Sequence, residues 1–157
     1  MNTGKLCRTS AVTVERGEEL IRAAQLMRDK HIGYLVVVAR DAADDLQRPV
    51  GVLTDRDIVV TVVARETDPR TLRVGDVMTQ SPSTAVDSDP LEKSLREMRR
   101  MGVRRLPVVG RRGELVGVLS LRRNRGTVER TAGPRRLDTQ RAGDRGGAAT
   151  LNRRGAW

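Results

Sequence analysis

Apolar residues recur along this chain in two rhythms, and the same succession of rhythms occurs twice. Leu20, Ala24 and Met27 stand at i, i+4 and i+7, the spacing of one helix face. Leu91, Leu95 and Met98 repeat it. After each come short runs rich in Val and Leu, at 34–38 and 50–53 and again at 106–109 and 115–119, bounded by Gly or charged residues. These read as buried strands. The start of the second long helix is predicted from Asp89 as cap, Pro90 in the first helical position and Glu92 closing a capping box. Residues 110–113 predict a hairpin turn, and residues 39–49 a longer acidic loop. A further helix follows Thr54, with Ile58, Val59, Val62 and Val63 on its apolar face, and Asp68 and Pro69 end it.

The two successions align residue by residue. With Met27 set on Met98, MRDKHIGYLVVV (27–38) faces MRRMGVRRLPVV (98–109), and GKLC (4–7) faces GDVM (75–78). PVGVLT (49–54) matches LVGVLS (115–120) once a shorter connection is allowed in the second copy. Each copy is too small to bury all its apolar faces alone, so the copies are expected to pack together with pseudo-twofold symmetry and a cleft on each side. The expected fold is α/β (α+β): two βαββα repeats, at 1–68 and 75–123, joined by a linker at 69–74, the second repeat lacking its last helix. Residues 124–157 show no apolar periodicity and are expected to form a disordered basic tail.

Charge sharpens this division. Of 30 basic and 20 acidic residues, 20 and 17 fall in residues 1–121, whereas residues 122–157 hold 10 and 3. The net charge of +10 therefore describes the tail. With Tyr34, Trp157 and no Phe, the core must be aliphatic. The single Cys7 excludes an intrachain disulfide and a cysteine-based zinc site. No apolar run approaches the roughly 18–20 residues of a membrane span. The N-terminus does not read as a secretion signal, so the cytoplasm is the expected location.

GVLTDRD (51–57), at a strand-to-helix junction, and GVLS (117–120) in the matching place carry the pattern Gly-apolar-x-Ser/Thr-x-x-Asp. With the two-copy spacing over residues 4–121, the chain resembles a CBS-domain pair, or Bateman module. The resemblance implies an adenosine-containing regulatory ligand, such as AMP, ADP, ATP or S-adenosylmethionine, bound between the copies, with no cofactor required. In that family the hydroxyl contacts phosphate and the carboxylate holds the ribose hydroxyls; these roles would fall on Thr54 and Asp57, with Ser120 as the second-copy hydroxyl. Arg104 and Arg105 stand where the family often carries His or Arg facing the phosphates. Aliphatic Val12, Ile32, Val52 and Val103 are expected to line the cleft, since no aromatic is available to stack. The resemblance also implies a homodimer and a regulated protein acted on in trans.

Other readings of the same residues stand beside these. Thr54-x-x-Asp57 is also a helix N-cap pattern that needs no ligand. His31, at a helix end, reads as a capping or surface residue. After Ser120 the resemblance breaks: Leu121, Arg122 and Arg123 stand where an acidic residue and a helix would follow. Residues 122–157 then read either as the product of a shifted reading frame or as a basic arm for nucleic acid or acidic lipid. Nucleic acid is the less favoured partner, because no aromatic residues are interleaved to stack on bases. A purely structural dimerisation module is the third class. No nucleophile elbow, P-loop, metal-spaced cluster or strand-borne GxGxxG is present, which speaks against an enzyme.

Overall fold

A computed structural model describes residues 1–7 and 10–121. The expectations for the tail, and for a missing last helix, fall outside those residues. The first sheet has the order β1-β2-β3-β4, from β1 (Thr13–Glu15), β2 (Tyr34–Arg40), β3 (Gln47–Thr54) and β4 (Thr79–Gln80). The second has the order β5-β6-β7, from β5 (Ala85–Val86), β6 (Arg105–Val109) and β7 (Leu115–Ser120). In both, the first strand pairs parallel to the second and the second antiparallel to the third. A parallel neighbour needs a crossover, and α1 (Leu20–Lys30) and α4 (Leu91–Met101) provide it.

The strands are longer than their apolar runs. Strands β2 and β3 continue through Arg40 and from Gln47, so the acidic loop expected at 39–49 shrinks to 41–46. Backbone pairing carries these exposed ends, which hydrophobicity could not signal. In α1 the fully buried alanine is Ala23 rather than Ala24, with Leu20 and Met27 beside it. In α4 the small Ser94 is buried with Met98, while Leu91 and Leu95 pack at the edge of the core.

The capping box expected at the start of α4 is absent. Pro90 occupies the N-cap position with no side-chain cap, and the Asp89 carboxylate pairs with Lys93 at 2.9 Å. A backbone carbonyl from far along the chain takes the cap's place: Leu91 N–H donates to Met1 O at 3.2 Å. At the start of α1, Leu20 N–H donates in the same way to Leu72 O at 3.1 Å.

These contacts belong to a reciprocal clasp. The short turn at Thr3–Lys5 lies on the second copy, with Thr3 N–H donating to Asp89 O and Gly4 N–H to Asp87 O, both 2.9 Å. The helical turn α3 (Val74–Val77) lies on the first copy, with Val74 N–H donating to Glu18 O and Gly75 N–H to Arg16 O, both 2.9 Å. Each partner in one set lies 71 positions from its counterpart: Gly4 and Gly75, Arg16 and Asp87, Glu18 and Asp89. The irregularity at Val37/Val38 recurs at the same offset, at Val108/Val109. The predicted pseudo-symmetry is therefore realised bond by bond.

The clasp redistributes the core. Val74 and Met78 are buried with Leu20, Leu35 and Leu53 of the first copy, while Cys7 packs against the cluster of Ala85, Met98, Leu106 and Leu119. Gly4 and Gly75 permit the approach. A Cβ on Gly4 would stand 3.2 Å from Asp87 O, and one on Gly75 would stand 2.7 Å from Arg16 Cγ.

After β3 the chain forms α2 (Asp55–Ile58) and then one π-helical turn at Val59–Val63. β-Branched residues crowd the neighbours three and four positions away in a regular helix. Here the bonds widen to i+5, as in Ala64 N–H to Val59 O at 3.1 Å. The widening shifts the phase of the face. Ile58 and Val62 pack on the first core, but Val59 and Val63 are 54% and 69% exposed, contrary to the sequence expectation. The helix also stops before Asp68, which instead caps a 3-10 turn at Pro69–Thr71.

Candidate functional site

Where the two copies meet, four segments enclose a cavity of about 470 Å3. Ser10, Ala11 and Val12 approach it ahead of β1, and His31 to Tyr34 from the connection between α1 and β2. The second copy contributes Arg104 and Arg105 at the start of β6, and Val118, Ser120 and Leu121 at the end of β7. The size lies within the usual range for small-molecule sites, about 300–1,000 Å3.

Local chain chemistry sets each wall. Helix α1 ends at His31 in the left-handed conformation (φ 52°), its N–H reaching back to the carbonyls of Met27 and Arg28. Ile32 N–H then donates to Met27 O at 2.9 Å, which turns Ile32 toward the cleft. Pairing of Arg105 with Ser120 in the β6–β7 ladder brings the basic pair beside the hydroxyl. Leu121 N–H closes that corner by donating to Arg104 O at 3.0 Å. Its first-copy counterpart is the bond from Asp55 N–H to Gly33 O at 3.3 Å.

Tyr34 and Arg105, themselves 71 positions apart, meet between the copies. The guanidinium lies over the Tyr34 ring, 5.5 Å from its centroid, in cation–π geometry. The Tyr34 hydroxyl is buried without a hydrogen-bond partner among the described residues. Burial pushes its pKa far above the ordinary phenol value, against the opposing pull of Arg105, so the phenol stays protonated. Among the described residues no carboxylate lines the cavity. Neither Arg104 nor Arg105 has a salt-bridge partner among the described residues.

Of the residues expected from sequence, Val12, Ile32, Arg104, Arg105 and Ser120 line this cavity, whereas Val52, Val103, Thr54 and Asp57 do not. The division follows the pseudo-symmetry. Val52 and Thr54 are the first-copy counterparts of Val118 and Ser120, and Val103 is the second-copy counterpart of Ile32. These three are therefore equivalent by symmetry to residues of the cavity, in the other copy. Thr54 and Asp57 also close a capping box at the start of α2. Asp57 Oδ2 accepts from Thr54 N–H at 2.9 Å and from its hydroxyl at 2.7 Å, and Thr54 Oγ1 accepts from Asp57 N–H at 3.2 Å. The ligand-free alternative for this pattern is thus realised in the structure.

Sequence reasoning missed Ser10, Ala11, Gly33, Tyr34, Val118 and Leu121, and read His31 only as a cap or surface residue. The 71-residue offset could have found Tyr34, because it stands opposite Arg105. A second hollow, of about 450 Å3, runs along β1 and α1 within the first copy. Its Glu15, Glu18 and Asp29 outnumber Arg22, which disfavours an anionic ligand there. Among the described residues no three His, Cys, Asp or Glu side chains converge as a metal site would require, and no helix is long and apolar enough to cross a membrane.

Comparison with known proteins agrees with this architecture. The chain is 34% identical over 120 residues to Hypoxic response protein 1 from Mycobacterium tuberculosis, a match spanning 76% of each sequence. It is 28% identical over 121 residues to an uncharacterized protein from Methanopyrus kandleri, of whose length it spans 59%. Among solved structures it is similar to the CBS domain protein PAE2072 from Pyrobaculum aerophilum complexed with AMP. That likeness has a TM-score of 0.67 and 32% identity, over 76% of this chain and 87% of the other. The model of the CBS domain matches residues 4–64 and again 74–123. The chain belongs to the CBS domain family, as a pair of such domains.

Proposed function

We propose that this chain is a regulatory, non-catalytic module that binds an adenine nucleotide or a related adenosyl ligand between its two copies. The observation that carries this reading is the cavity built jointly by both copies, with Arg104, Arg105 and Ser120 on one side and aliphatic Val12 and Ile32 on the other. Arginine suits phosphate because its planar fork makes paired, charge-assisted hydrogen bonds. The aliphatic walls suit a purine face. The AMP complex of PAE2072 supports the ligand class.

The opposite cleft offers Thr54 and Asp57 for phosphate and ribose, with Val52 and Val103 as apolar lining. Asp57 retains its Oδ1 for such a role while Oδ2 serves the cap. The module acts on a protein in trans and pairs as a homodimer in the cytoplasm. The exposed Val59, Val60 and Val63, beside an apolar groove of Leu20, Ile21, Ala24 and Val62, support self-association.

Calorimetric titration of the full chain with adenine and pyrimidine nucleotides tests the reading. Adenine ligands should bind, and Asp57→Ala should cost the ribose-reading cleft about 1.5–3 kcal/mol, as for hydrogen bonds to a charged group. Equal binding of all bases would overturn the adenine reading, and binding of none would overturn it in favour of a purely structural module.

A further inference from the structure

The first sheet ends at β1, and that edge is open. Val36 N–H donates to Val12 O at 3.1 Å, so in this parallel ladder Val12 and Val14 turn their backbone groups to β2. The alternate residues Thr13 and Glu15 turn theirs outward. Glu15 O accepts from Glu18 N–H at 3.2 Å, which leaves the N–H and C=O of Thr13 and the N–H of Glu15 facing away from the sheet. Among the described residues no strand pairs with this edge. An open edge is a template for another strand.

Beside the edge runs the hollow of about 450 Å3 between β1 and α1. Buried Val14 and Val38 and half-buried Leu26 form its apolar part, and Glu15, Glu18 and Asp29 its acidic one. Asp29 pairs with Arg28 at 2.9 Å, but Glu15 and Glu18 pair with no cation among the described residues. The repeat supplies an internal comparison. The counterpart hollow along β5 and α4 is smaller, about 260 Å3. There Val86 replaces Glu15, and Asp89, the counterpart of Glu18, is closed onto Lys93 at 2.9 Å. Glu97 is likewise taken by Arg100. Of two grooves equivalent by symmetry, the second satisfies its own charges and the first does not.

We propose that the first-copy groove docks an extended segment of a partner protein, which adds to β1 as a fifth strand and brings basic side chains to Glu15 and Glu18. A sheet edge beside a groove suits such capture, because main-chain bonds give affinity and alternate side chains give specificity. Charge complementarity fixes the class of segment: carboxylates left without cations repel an acidic strand and accept Lys or Arg. Leu26 and Val38 receive an apolar side chain of the same segment. The groove is lined by the first copy alone, so its role does not depend on what the cavity between the copies binds.

The test is fluorescence anisotropy of the full chain with a labelled heptapeptide of alternating lysine and valine. The peptide should bind, and amide exchange at Thr13 and Glu15 should slow in its presence. Glu15→Gln with Glu18→Gln should weaken binding about tenfold at low salt, and less as salt screens the pairs. Both side chains are exposed, so the fold should survive, which an unchanged melting curve checks. Glu92→Gln with Glu97→Gln, which removes the same charge from α4, should leave binding unchanged. N-methylation of alternate peptide nitrogens should weaken it at least about fivefold by removing main-chain donors. No binding at millimolar peptide, an equal loss in the α4 variant, or full binding of the N-methylated peptide would overturn the proposal. So would displacement of the peptide by equimolar spermidine, which would make the groove a site for small cations. Slow exchange at Thr13 and Glu15 in the free chain would mean that another segment of this chain covers the edge, and would overturn it too. None of these outcomes bears on the nucleotide titration.

Discussion

His31 and Gly102 hold the same left-handed position at the ends of α1 and α4, with φ of 52° and 66°. Glycine adopts that conformation without a Cβ penalty; histidine does not. His31→Gly should therefore stabilise the fold by up to about 1 kcal/mol, and Gly102→Ala should cost a similar amount. Chemical denaturation of the two variants checks both signs. Tyr34 presents a different economy. Its buried hydroxyl has no partner among the described residues, so Tyr34→Phe should leave stability unchanged or raise it by about 1 kcal/mol while keeping the ring under Arg105. A loss of more than about 1 kcal/mol would mean that the hydroxyl is satisfied in solution. The ring could be read from sequence as the chain's one internal aromatic. Its stacking under Arg105 could not, because equivalence in the repeat does not by itself say which side chains meet at the axis between the copies.

At the level of elements, the clasp governs what was legible. Helix faces and strand cores followed from apolar spacing, since burial imposes period and composition on the chain. The caps of α1 and α4 did not, because they come from Leu72 and Met1, partners that local pattern cannot name. Thr3 shows how tightly this works. Its buried hydroxyl donates to Asp89 O at 3.0 Å and lies 2.8 Å from the Ser94 hydroxyl, which is then the donor to it. Thr3→Val should cost about 1–3 kcal/mol by leaving Ser94 unpaired. Adding Ser94→Ala should cost little more, and a double-mutant cycle would report that coupling. The π-helical turn was equally hidden. A run of valines specifies burial, but the phase of the helix decides which valines receive it.

For the whole molecule, the two copies are also tied at their surface. Arg48 on β3 pairs with Asp41 and Asp44, both at 2.7 Å, and its Nε donates to Arg112 O in the hairpin turn of the second copy at 3.2 Å. The hydrogen bond from Arg48 holds the Asp44 carboxyl below the usual aspartate range. A depressed value means that this contribution is present above the ordinary aspartate range and lost as pH falls through the lowered one. The denaturation midpoints of wild type and Arg48→Met should therefore differ near neutral pH and converge on acidification. The difference should be small and salt-sensitive, because the groups are solvated. Self-association gives a separate test at this scale. Val59→Glu with Val63→Glu should shift a dimer toward monomer in light scattering with little effect on the monomer's stability, since both side chains already face solvent.

The clasp also has a consequence in time. The chain is synthesised from its N-terminus, yet Thr3 finds its partners only at Asp89 and Ser94, and the first sheet gains its last strand only when Thr79 and Gln80 arrive. At about 5–20 residues per second, Thr3 waits roughly 5–20 s for its dock to be made. Thr3 thus emerges well before it can settle. The first copy cannot be finished on the ribosome before the opening segment of the second, through Gln80, has been translated.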